Sequence, residues 1–68
     1  MVIQSIGFNI HQWSLAEAKQ WAREHKFKPI KIALEENYLK LRLFDPKKFR
    51  RFSTKDIGNG IHLIIGYY

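Results

Sequence analysis

Residues 29–46 read PIKIALEENYLKLRLFDP, and their alternation decides the fold class. Ile30, Ile32 and Leu34 alternate with Lys31 and Ala33. Leu39, Leu41 and Leu43 alternate with Tyr38, Lys40, Arg42 and Phe44. Two runs with a period of two, separated by a turn at Glu35-Glu36-Asn37, predict a β-hairpin with one face rich in Ile and Leu. Such a face needs a second element to cover it.

A covering element stands just upstream. In Ser14-Leu15-Ala16-Glu17, Ser14 can accept the N–H of Glu17, and Glu17 can reach back to the N–H of Ser14. The predicted helix runs from Leu15 to His25 or Lys26. Leu15, Ala18, Trp21, Ala22 and His25 fall on one stripe at helical spacing. The two alanines let that stripe lie close to a sheet. Arg23, His25 and Lys26 place positive charge at the end of the helix dipole that favours it. Pro29 forbids continuation.

Further out, Val2–Ile10 alternates with Val2, Ile6, Phe8 and Ile10 on one side and predicts a strand. Asp45-Pro46 suits the cap and first position of a short helical segment over 46–50. Ser53 to Asn59 reads as loop, with a turn at Ile57-Gly58-Asn59-Gly60. Ile61–Tyr67 reads as a last strand with Ile61, Leu63 and Ile65 on one face. The expected order is β-α-β-β-(short α)-β. It describes a single α+β domain over 1–68, with one helix on a roughly four-stranded, mainly antiparallel sheet. If the first two strands are parallel, the helix between them is a right-handed crossover. The order then resembles a trimmed ferredoxin-like arrangement; a β-α-β-β-β sheet in another strand order fits nearly as well.

A chain of 68 residues suits one domain. A domain this size buries only about 60% of its unfolded surface, so stability is marginal. With no Cys, no disulfide braces it. No apolar run approaches the roughly 18 residues needed to cross a bilayer. The start lacks the pattern of a signal peptide. The expectation is a cytoplasmic protein with no membrane partner.

Catalysis has little to work with. His11, His25 and His62 form no metal-ligand spacing, and thiolates are absent. Glu35 and Glu36 are adjacent and point to opposite faces of a hairpin end. Ser5, Ser14 and Ser53 lie in no nucleophile motif. Gly58-Asn59-Gly60 precedes a strand and lacks the spacing and Lys-Ser/Thr pair of a phosphate loop. No catalytic residue, metal or cofactor is expected.

Charge points to binding instead. The net charge is +6, and residues 37–68 carry seven basic and two acidic side chains. If the leucines of the hairpin face the helix, then Tyr38, Lys40, Arg42 and Phe44 face away, joined by Lys31. His62, Ile64 and Tyr68 lie on the opposite side of the last strand. Cations there would neutralise phosphates and aromatic rings would stack unpaired bases. The run Lys47-Lys48-Phe49-Arg50-Arg51, with Lys55, adds five positive charges in nine residues. A solvated face, or lysine protecting an edge strand, would look the same in sequence. Tyr38, Phe44, Ile64 and Tyr68 would also make an apolar patch suited to self-association or a protein partner.

Trp13-Ser14 with Ala18, Trp21 and His25, then Phe44-Asp45-Pro46 with Phe49, then Ile57-Gly58-Asn59-Gly60-Ile61 and Gly66, resembles a short domain of unassigned function encoded by tailed phages and prophages. The resemblance implies a phage or mobile-element origin, with residence in the host cytoplasm, and transfers no active-site residue. The expected function is a small basic non-catalytic module that binds nucleic acid through the sheet face and the 47–55 segment. The alternative is an assembly protein that binds itself or a phage protein through the same face.

Overall fold

The reciprocal Ser14–Glu17 cap forms and starts the helix. Glu17 N–H donates to Ser14 Oγ at 3.1 Å, and Ser14 N–H donates to Glu17 Oε1 at 2.9 Å. The Ser14 backbone N–H foremost, and then the Ser14 hydroxyl, hold the Glu17 carboxyl below its ordinary value. Helix α1 runs Leu15–Glu24 with His25 as its C-cap. It ends in a Schellman motif: Phe27 N–H donates to Ala22 O at 2.8 Å and Lys26 N–H to Arg23 O at 3.0 Å. Lys26 takes the left-handed position (φ 63°) that glycine usually fills.

The computed structural model describes all residues, Met1–Tyr68. Around α1 stand β1 (Val2–Asn9), β2 (Lys31–Glu35), β3 (Tyr38–Arg42), β4 (Arg51–Gly58) and β5 (Ile61–Tyr67). A single 3-10 turn at Pro46–Lys48 is capped by Asp45, which accepts the Lys47 N–H at 2.9 Å. The strands form one five-stranded sheet in the order β2-β3-β1-β5-β4. Every neighbouring pair is antiparallel.

One expectation about the sheet is corrected. It has five strands rather than roughly four, because 51–58 is strand β4 and not loop. β4 is exposed along its whole length, so its sequence shows no apolar alternation. Its partner is set by Asn59-Gly60, whose φ values of 57° and 75° make the two-residue turn that suits a twisted hairpin. β3 lies between β1 and β2 and is antiparallel to both, so the two strands joined by α1 run parallel. The outer strand sets this sheet apart from the four-strand trimmed ferredoxin-like arrangement.

A β-bulge changes the expected facing of β1. Val2 pairs with Gly66 and Ile3 with Ile65, but Ser5 pairs with Ile64. The parity slips at Gln4, so Ile3 rather than Val2 joins Ile6 and Phe8 on the helix side. Gln4 is almost fully buried. Its Nε2 donates to Phe44 O at 2.7 Å, and its backbone O accepts from Leu43 N and Phe44 N. The bulge thereby fixes the chain leaving β3.

The main core lies between α1 and the middle of the sheet. Ala18 and Ala22 meet Ile6, Phe8, Leu41, Leu43 and Ile61. Trp13 and Trp21 flank Phe8 edge-on, with centroids at 5.3 and 5.5 Å. Trp13 Nε1 also donates to Asn59 O at 2.7 Å and ties the β4–β5 turn to the helix entry. The helix leaves β2 largely uncovered: Leu34 is 68% exposed, as is most of Ile30 just before the strand. No helix is long and apolar enough to cross a membrane.

Candidate nucleic-acid interface

The face of the sheet away from α1 is open, as the alternation in β3 predicts. Cross-strand register places Lys31, Arg42 and Ser5 in one row and Ala33, Lys40 and Gly7 in the next. A third row holds Glu35, Tyr38 and Asn9. On the other side of β1, His62 and Ile64 of β5 lie beside Asp56 and Thr54 of β4. The central strand places only Ser5 and Gly7 in the middle of this face, and both are buried, Gly7 beneath the His62 ring.

Two rings use the glycines of this face. The His62 imidazole lies where a Cβ on Gly7 would be. A Cβ on Gly66 would come within 2.6 Å of the Phe49 ring. Both glycines thus permit a close approach that any side chain would block. Tyr38 meets His62 edge-on at 4.6 Å. At the far end Phe49 sits among Phe44, Phe52 and Tyr68, at 6.4, 5.9 and 5.2 Å. The open face has an aromatic group at each end and polar residues between.

Lys40 and Ile64 border two depressions on this face. One, of about 200 Å³, adds Tyr38, His62, Glu35 and Glu36. The other, of about 120 Å³, adds Gln4, Arg42, Pro46 and Phe52. Lys40 Nζ lies 3.7 Å from Glu35 Oε1, the one ion pair in the protein. Arg42 has no acid partner, and its Nε is withdrawn from solvent without a hydrogen bond. Its outer nitrogens, not the covered Nε, are what an anionic oxygen could pair with.

The structure divides the ten sequence-predicted residues. Lys31, Tyr38, Lys40 and Arg42 share the open face. Phe44 joins the aromatic group at its end. Lys47 and Lys48 lie on the 3-10 turn, and exposed Arg50 follows it. Arg51 and Lys55 pair with Tyr67 and Leu63, so they project to the helix side. The Arg51 guanidinium lies 4.6 Å from the Tyr67 ring centroid. The 47–55 cations therefore do not form one patch, because a strand divides its side chains between two faces.

Gln4, Phe49 and Phe52 were not among those candidates. The signal for Phe49 was Gly66, a glycine within a strand, which marks close approach of another group. No group of three or more His, Asp or Glu side chains is placed to hold a metal ion. The largest depression, about 460 Å³, lies between α1 and β2 and is lined by Lys19, Arg23, Phe27, Lys28, Pro29 and Ile32. Compared with protein-family profiles, curated proteins and solved structures, the chain matches none.

Proposed function

We propose that the chain is a non-catalytic binding module that takes single-stranded nucleic acid across its open sheet face. The observation that carries this reading is Arg42: half-buried, unpaired, and set between an aromatic group and Lys40. Lys31, Lys40 and Arg42 would contact phosphates. Tyr38 at one end and Phe52 at the other would stack bases, which a single strand can offer and a duplex cannot. Lys47, Lys48 and Arg50 would extend the phosphate track past the end of the face. A phage or mobile-element origin rests on the motif resemblance alone.

Anisotropy of a labelled single-stranded oligonucleotide, titrated between 50 and 200 mM salt, tests this. The three phosphate contacts on the face alone give a log–log slope of about −2, a roughly 20-fold loss of affinity across that range, and the three cations beyond it would steepen the slope toward about −4. Arg42→Gln should flatten the slope by about 0.7. No binding at 50 mM salt, or a flat response, would overturn the reading.

A further inference from the structure

We infer that the free edge of β2 pairs with β2 of a second copy of this chain, antiparallel about a two-fold axis at Ala33. The backbone sets which residues can do this. Ile10 N–H donates to Asn37 O at 3.0 Å, and Ile30 N–H donates to Arg42 O at 2.8 Å. Tyr38, Lys40 and Arg42 therefore turn their backbone groups toward β2. Antiparallel pairs alternate, so Lys31, Ala33 and Glu35 turn theirs toward β3. Ile32 and Leu34 are left with N–H and C=O groups on the free edge.

Pairing about Ala33 uses those groups. Ile32 stands opposite Leu34 of the second copy, and the relation repeats across the axis, as a two-fold interface requires. These side chains lie on the helix side and are 38% and 68% exposed in the single chain. On the open face Lys31 stands opposite Glu35 of the second copy, again twice. Lys31 has no acid partner of its own, and Glu35 holds only the long contact to Lys40. Apolar residues thus meet apolar ones and cations meet anions. β2 also lacks an interior charge, proline or bulge, the usual guards of an edge.

The other edge does not match itself. β4 centred on Ser53 would set Arg51 against Lys55, and centred on Thr54 would set Phe52 against Asp56. β4 also carries a register shift between Asp56 and Gly58. Pairing through β2 would join two sheets into one and extend the open face. It does not depend on what that face binds.

A five-residue edge is small, so the dimer should be weak, on the order of 0.1 mM. Sedimentation equilibrium from 10 µM to 1 mM should show a concentration-dependent dimer. Lys31→Glu should weaken it at least tenfold by opposing two carboxylates, and Lys31→Glu with Glu35→Lys should restore it. The chain has no Cys, so Ala33→Cys provides a single probe. Its Cα atoms would stand about 4.5 Å apart, within disulfide range. Mild oxidation should give a covalent dimer, and Thr54→Cys on β4 should not. A protein monomeric at 1 mM, or a dimer insensitive to Lys31→Glu and uncrosslinked through Ala33→Cys, would overturn the inference.

Discussion

Phe49→Ala should cost about 3 kcal/mol of stability, the low end for removing a buried aromatic ring. Phe49 is 9% exposed and covers Gly66, while three further aromatic rings pack around it. It is the one large apolar side chain buried outside the helix-side core. The low end applies because the site lies at a rim, where water and neighbouring rings can fill the gap. For a 68-residue domain a total stability of about 3–10 kcal/mol is usual, so this loss is a large share. The midpoint of thermal unfolding should fall by at least about 12 °C. Urea unfolding followed by Trp13 and Trp21 fluorescence provides the assay, since both report from the opposite side of the sheet. Phe44→Ala, at a residue 39% exposed, is the control and should cost much less. A loss under about 1 kcal/mol for Phe49→Ala would refute the view that the aromatic group around Phe49 helps hold β4 and β5.

Lys26→Gly should stabilise the protein by about 1 kcal/mol, because glycine adopts the left-handed helix end without strain; urea midpoints would show it. The depressed Glu17 carboxyl stabilises the fold above its unfolded-state value near 4.5, and that contribution is lost as pH falls through the lower folded value. Glu17→Gln should therefore be less stable than the parent at neutral pH, with the difference shrinking on acidification below about 4.5; a pH-independent difference would contradict the cap assignment. Gly7→Val should push the His62 ring off the open face and change its NMR shifts, since the added side chain claims the same space.

The helix and the β2–β3 hairpin were legible in sequence because each has one buried face. Ser14 and Glu17 declared the helix start, and Leu39, Leu41 and Leu43 declared which way β3 faces. β4 was hidden for the opposite reason. Both its sides meet solvent, so only the Asn59-Gly60 turn marked it. The bulge at Gln4 was hidden because one extra residue leaves the sequence looking alternate while reversing Val2 and Ile3. The open-face part of the candidate site followed from β3, and Lys31, Tyr38, Lys40 and Arg42 do share a face. The 47–55 part did not follow, since a charge run carries no information about the side to which a strand turns each residue. Arg51 and Lys55 could be placed only through their partners Tyr67 and Leu63.

The location of binding tests the account most directly. Backbone amide NMR shifts recorded while a single-stranded oligonucleotide is added would map the contact surface. Changes should fall at Lys31, Tyr38, Lys40, Arg42, Phe52, His62 and Ile64, on the open face. Changes confined to Lys19, Arg23 and Lys28, around the groove between α1 and β2, would contradict that placement.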